Sequence, residues 1–324
     1  MEVSKLRTTK TSWFRLIPVL IVVVLLIPEP IGLSWGENGH KTVTRLAIDA
    51  TPEPLRTMLN KYLPELQETS MDPDRRKSEP GTDNESGRHY IDIDFFEAYP
   101  FEAFPQELNL AEAKYGSIEI NRQGIVPWAI EESFQNLVEA WETNDPNWMR
   151  WFGDLAHYVG DLHQPMHTTA NFDGQKSGNR GIHALFESVM VDGFWDDSQV
   201  THFRPPDAVW QAVSHFMPTA PGLGSIASFT SAYMTDLMIL QDFEPVENPL
   251  EEAFLIVVDS YTTLEDLLAA HDKAQEHRQT NPKFYSTFWD EGADKVMERQ
   301  INKGAYTLAR YIMGAWLKAG QPSL

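Results

Sequence analysis

Apolar residues recur at helical spacing along most of this chain. Val43, Leu46, Ala47 and Ala50 share one face and predict a helix running to about residue 50. Thr51-Pro52-Glu53-Pro54 punctuates it, and Leu55, Met58, Leu59 and Tyr62 predict a second, short helix. Residues 68–88 are polar and rich in Asp, Arg, Ser, Gly and Pro, which predicts a loop. His89-Tyr90-Ile91-Asp92-Ile93-Asp94 alternates and suggests a short strand or extended segment. The stretch Ala98 to Leu108 holds Pro100 and Pro105 and reads as irregular. Helical patterns resume at Leu110–Tyr115, Val126–Trp141 and Trp148–Leu162. Beyond a loop at 168–181 they return at Ile182–Val191, Pro206–Phe216, Ile226–Leu240, Ala253–Lys273 and Glu291–Lys318. Met217–Gly224 and Asp242–Pro249 read as loops. With no internal repeat, this pattern predicts an all-α fold, a single multi-helix domain over residues 35–324.

The first 34 residues follow a different pattern and read as an export signal. Lys5, Arg7, Lys10 and Arg15 form a positive lead, and Leu16 to Ile27 is an apolar run interrupted only by Pro18. Gly32 and Ser34 then put small residues at −3 and −1 before Trp35. The run is shorter than the roughly 20 residues of a membrane span, so a retained anchor is the alternative. The expected location is periplasmic or extracellular. Composition adds two constraints. A formal net charge of −21 argues against a broad basic patch for duplex DNA, although bound cations would allow an anionic substrate locally. With no cysteine, disulfides are excluded, and a zinc ion would have to use His, Asp, Glu, water or the chain terminus.

Such ligands are concentrated between His157 and Glu187, which contain four of the ten histidines. His157 and Asp161, His163 and His167, and His183 and Glu187 are each spaced four apart, a spacing that places both members on one helix face. Pro165 should end the first helix and leave His167 in the loop beyond it. Upstream lie His40, Asp72 and His89. These eight candidates exceed the four ligands of one zinc ion and, with a bridging carboxylate, suit two or three ions. Asp74 sits two residues from Asp72 in the same segment and competes with it. His163 reads as a helix-end residue, Asp154 as a non-ligand acid, and His202, His215, His271 and His277 as surface residues. Asp92 and Asp94 could equally be solvated acids or site residues.

With Trp35-x4-His40, Asp72-x-x-Arg75 and His89-Tyr90-Ile91-Asp92 ahead of this block, residues 35–190 resemble the superfamily of zinc-dependent phospholipases C and single-strand-preferring zinc nucleases. The resemblance implies a mainly helical enzyme holding three zinc ions, in which a mature N-terminal Trp is itself a ligand. Carried over, it implies Trp35 and His40 on one zinc, with Asp161 bridging to a second that Asp72, His89 and His157 complete. His167, His183 and Glu187 would hold the third. It further implies phosphodiester hydrolysis by a hydroxide on the zincs, water being acidified from a pKa of 15.7 to about 7 by such coordination. Arg75 is implied as the phosphate-binding residue and Asp92 as a base contact.

The branch stays open. The Trp35–His40 spacing, the Asp72-x-x-Arg75 motif and Asp92 look nuclease-like, whereas Gln164 to Phe172 and the His183-x3-Glu187 spacing look like the phospholipases. Two nuclease-like matches fall at substrate-contacting positions, which tips the reading slightly toward a single-strand nuclease or 3′-nucleotidase over a phospholipase C. A non-catalytic zinc-binding helical protein is a further alternative. Tyr90, Phe95, Phe96, Phe172 and Phe186 are candidates for stacking on a base or contacting lipid.

Overall fold

A computed structural model describes residues 35–79, 81, 85–191, 244–279 and 281–323. The expected signal at 1–34, the helices Pro206–Phe216 and Ile226–Leu240, the loop Met217–Gly224, and His202 and His215 lie outside the described residues. The helices in order are α1 (Glu37–Ala50), α2 (Leu55–Leu59), α3 (Leu63–Thr69), α4 (Asp72–Arg76), α5 (Ile93–Phe96), α6 (Leu108–Tyr115) and α7 (Ser117–Arg122). They continue with α8 (Val126–Thr143), α9 (Trp148–Leu162), α10 (Ile182–Ala184), α11 (Pro249–Tyr261), α12 (Leu264–Ala274), α13 (Pro282–Phe288) and α14 (Asp294–Lys318). The fold is all-α, and the described residues contain no strand. None of their helices is long and apolar enough to cross a membrane.

Helix α9 is the central element. Every residue from Phe152 to Leu162 is buried, so neighbours must cover it on all sides. It packs against α1, α3, α4, α8, α11 and α14. Gly153 and Gly160 set how close two of these approaches can be. A Cβ on Gly153 would lie 2.5 Å from the Thr69 carbonyl oxygen at the end of α3. One on Gly160 would lie 3.0 Å from Nδ1 of His40 on α1. The helix stops at Leu162 because Gln164, ahead of Pro165, is held extended at φ −88°, ψ 115°. A 3₁₀ turn, Pro165–Thr168, then carries His167.

Several elements differ from the sequence pattern. Inside the expected loop at 68–88 lies α4, with Pro73 in its first turn, Asp72 and Asp74 at its start and Arg75 and Arg76 at its end. That arrangement suits both the missing proline N–H and the helix dipole. Instead of a strand at 89–94, a 3₁₀ turn (Glu85–His89) leads through extended residues into α5. Tyr90 to Asp92 do hydrogen-bond to other backbone segments, Ile91 N to His167 O at 2.8 Å and Asp92 N to Gln123 O at 2.7 Å. The expected helix 253–273 is two helices, because the hydroxyls of Thr262 and Thr263 donate back to Asp259 and Ser260 carbonyls at the break. Glu291 lies in a π-helical turn (Trp289–Ala293) that joins α13 to α14, with Gly292 at φ 139°. Helix α7 had no periodic signal of its own.

Gly153→Ala tests the close packing at α9. The obstructing atom is backbone, so the variant should lose about 1–3 kcal/mol, read as a lower denaturant midpoint. Unchanged stability would show that α3 does not press on α9 as described.

Candidate metal centre

Three groups of ligand-type side chains meet around the C-terminal half of α9: His40, His157 and Asp161; Asp74, His89 and His157; and His167, His183 and Glu187. Asp161 sits between them, fully buried. Its Oδ1 lies 3.3 Å from His40 Nε2, while its Oδ2 lies 2.8 Å from His89 Nδ1 and 3.2 Å from His157 Nε2. On the other side, Oδ1 is 3.8 Å from Nδ1 of His167. In the second group Asp74 Oδ1 stands 3.6 Å from His157 Nε2 and 3.8 Å from His89 Nδ1. In the third, Glu187 Oε2 lies 2.8 Å from His183 Nε2 and 3.4 Å from His167 Nε2, and the two imidazole nitrogens are 3.0 Å apart.

The residues fit a set of metal ions. Two donors about 2.1 Å from a tetrahedral zinc are roughly 3.3 Å apart, and the donor separations here scatter around that value. His40 Nε2 and Asp161 Oδ1 are buried with no hydrogen-bond partner among the described residues, a costly state unless something else satisfies them. Supporting groups hold the ring edges that face away. His157 Nδ1 is 2.7 Å from the Ser70 carbonyl oxygen, and His167 Nδ1 is 2.7 Å from that of His89. These contacts favour N–H at Nδ1 and leave Nε2 as the donor to an ion. Gln164 donates to Glu187 Oε2 at 3.0 Å and accepts from Met166 N at 2.6 Å, so the longer carboxylate arm is anchored. Glu187 itself rides on a π-helical turn, Leu185–Met190.

The electrostatics suit a cation. Burial opposes ionisation of Asp161, but His157 and His167 overcome it and hold the carboxyl well below its usual range. The same balance lowers Asp74, chiefly through His157, and Glu187, chiefly through His183. Without metal, one proton is concentrated on His157, whose pKa the Asp161 and Asp74 carboxylates hold at about 10 against the effect of burial. His40 stacks on it at 3.9 Å and is pushed to about 4 by burial and by His157.

One assignment must change. Asp72 lies 40% exposed on the outer face of α4, paired with Arg75 at 2.9 Å, whereas Asp74 is 7% exposed and joins the cluster. Residues two apart on a helix point in nearly opposite directions, so only one of these acids can face α9. Arg75 shares the outer face and pairs with Glu68 as well as Asp72, which takes it away from the cluster. The inward cation is Lys77, 8% exposed and 2.7 Å from Asp74 Oδ1. Its charge adds to burial in lowering His89, against the pull of Asp161 and Glu85. The segment Asp72-Pro73-Asp74-Arg75-Arg76-Lys77 thus holds the same acid-x-x-base spacing twice, two residues out of phase.

Other candidates separate clearly. Trp35 is buried, its indole 5.4 Å from Phe186, and Gly36 N donates to the Glu187 carbonyl at 2.9 Å, so the start of α1 lies against the third group. Asp94 is not a solvated acid. It accepts from Thr169 Oγ1 and Ala170 N, both at 2.7 Å, and pins the segment after His167. Asp154 is an interior acid paired with Arg76 at 2.9 Å. His163 is buried against Gly304 and belongs to none of the three groups. His271, expected at the surface, is buried between the rings of Phe284 and Phe288. Of the aromatic candidates, Phe186 is core, Phe96 packs on Phe104 and Tyr115, and Tyr90 donates to the Arg122 carbonyl. Phe95 and Phe172 remain about half exposed.

Residues 35–316 match the S1/P1 nuclease family. The chain belongs to the S1/P1 nuclease family. It is similar to Endonuclease 3 of Arabidopsis thaliana, 27% identical over 193 residues that make up 55% of this chain and 59% of that one. The match therefore spans about three fifths of that curated relative's length. Among solved structures it is similar to the alpha toxin from Clostridium absonum, with a TM-score of 0.45 and 16% identity over 86% of this chain and 65% of the toxin.

The family member's Asp92 is buried, with Oδ1 lacking a partner among the described residues. Burial, reinforced by Asp94, raises its pKa to about 7 from 3.8. The folded state then binds more protons than the unfolded chain between about pH 4 and 7, so this carboxyl costs stability increasingly as pH rises through that window. In the metal-free protein, Asp92→Asn should raise the melting temperature at pH 8, with a ceiling of about 4 kcal/mol. The gain should vanish toward pH 4. An equal gain at both pH values would show that charge burial is not the cause. The acid assignment has its own check. Asp74→Asn should lower the zinc bound per chain by elemental analysis, and Asp72→Asn should leave it unchanged. The reverse pattern would restore Asp72.

Proposed function

We propose that this chain is an exported zinc-dependent phosphodiesterase that cleaves single-stranded nucleic acid. The observation carrying the proposal is the convergence of three His/Asp/Glu groups on Asp161 in a chain of this family. Bound zinc would supply Lewis acidity toward phosphate oxygens and a water acidified to a pKa of about 7. Asp161 would bridge the first two groups through its separate oxygens, and Asp74, His89 and His157 would complete one of them. His167, His183 and Glu187 would hold the third ion. The Trp35 amine, freed by removal of the preceding segment, would join His40.

The remaining residues bind and orient. Lys77 is placed to neutralise a phosphate oxygen, as a compact point charge and not as a planar fork. Asp92, buried three residues after His89, would contact a base edge. Phe95 and Phe172 offer exposed rings for stacking. The same rings would serve lipid contact, so a phospholipase C remains the second reading, favoured by the long arm of Glu187.

The test compares single-stranded DNA, RNA and phosphatidylcholine as substrates of the zinc-loaded chain beginning at Trp35. Turnover of nucleic acid with none of lipid is expected. Lipid-only cleavage would overturn the substrate, and inactivity on all three would favour a binding protein. Lys77→Met should lower kcat/KM by about 10²–10³, while Arg75→Ala should stay within a few-fold of the parent. One extra residue ahead of Trp35 should abolish most turnover; normal turnover would remove the amine from the ligand set.

A further inference from the structure

His89 differs from the other histidines of the centre in which nitrogen it turns inward. Its Nδ1 faces Asp161 and His157, the latter through Nε2 at 3.0 Å. Its Nε2 points away, buried and without a hydrogen-bond partner among the described residues, and Glu85 Oε1 stands 3.6 Å from it. His157 and His167 meet backbone carbonyls on their outward edges. His89 meets a carboxylate, four residues back across a 3₁₀ turn.

Glu85 is itself firmly held. Tyr158, the residue after His157, donates its hydroxyl to Oε1 at 2.5 Å. Arg76, two residues after Asp74, reaches Oε2 through Nε and Oε1 through a terminal nitrogen, both at 3.3 Å. Arg76 is braced in turn by Asp154 at 2.9 Å. Arg88 donates to the Tyr158 oxygen at 3.1 Å and to Glu132 at 2.7 Å. The Tyr158 ring lies edge-on to both His89 and His157, at 5.4 and 5.8 Å. One buried polar network therefore joins α4, the turn bearing His89 and helix α9, the three pieces of chain that supply the second ligand group.

We propose that Glu85 is a positioning residue of the metal centre. Its carboxylate accepts the Nε2–H of His89 and so commits that ring to the tautomer in which Nδ1 is the free donor. Contacts of this kind are often long before a site is loaded and shorten afterwards. A carboxylate behind a ligating imidazole also makes the ring a stronger donor, and losing such a partner typically weakens metal binding 10–100-fold. The inference rests on the metal-centre reading above, but it assigns a role to a residue outside the ligand set. A purely structural Glu85 would serve only to neutralise Arg76 and anchor the Tyr158 hydroxyl.

The test follows the ring of His89 directly. Ring ¹⁵N shifts of the zinc-loaded protein, assigned by loss of the signal in His89→Gln, should show the proton on Nε2; without metal, the Asp161 oxygen 2.8 Å from Nδ1 sets the tautomer instead. Glu85→Gln keeps the shape and the Tyr158 contact; it should give a mixed tautomer and zinc affinity 10–100-fold weaker in chelator competition. The zinc-loaded parent bearing Nδ1–H on His89 would overturn the proposal. So would a Glu85→Gln protein that binds zinc within twofold of the parent. Should the variant not fold, the tautomer of the parent still decides. A parent that binds no zinc would instead sink the metal-centre reading.

Discussion

A carboxylate buried without exposure to water must have its charge met from within the protein, and at Asp161 that requirement shapes the described molecule. Imidazoles from α9 and the turn before α5 contact Oδ2, while Oδ1 faces His40 of α1 at 3.3 Å without a hydrogen bond and has His167 just beyond. To present Asp161 and His157 this way, α9 must run through the middle of the fold. That explains its continuous burial and the glycines at two of its close contacts. Packing and chemistry are thus set by the same helix. Among its neighbours, α1 brings His40, α4 brings Asp74, and the Ser70 carbonyl after α3 steadies His157.

The site also shows how a small change of phase decides which charges enter a cluster. Helix α4 is only a turn and a half long, yet it sorts Asp72 and Arg75 outward and Asp74 and Lys77 inward. The outward pair is a surface ion pair of small energetic weight. The inward pair sits among metal-ligand candidates, where a nearby cation and a committed carboxylate both alter binding. Arg76, between them, is recruited to the network behind His89.

Much of this was legible in the sequence. The i, i+4 pairs His157–Asp161 and His183–Glu187 and the stop at Pro165 follow from helix geometry and proline chemistry alone, and in the fold each pair does converge. The long periodic helices α8 and α9 were equally clear. What failed to show was short or locally encoded. Helix α4 has too few residues to display a period, although its proline and charge order were a usable signal. Choosing between Asp72 and Asp74 needed knowledge of which face meets α9. The split between α11 and α12 depended on threonine hydroxyls turning back on the chain. Burial of His271 depended on how the next helix, α13, folds Phe284 and Phe288 back over it. Glu85 had no motif, because its part is defined only by what stands between it and the centre.

The central claim is that the groups around Asp161 are a multi-zinc centre. Anomalous X-ray diffraction at the zinc edge, on crystals of the zinc-loaded protein, tests it most directly. Three peaks are expected, two flanking the Asp161 carboxylate and one among His167, His183 and Glu187. Peaks confined to surface histidines, or none within reach of Asp161, would contradict it.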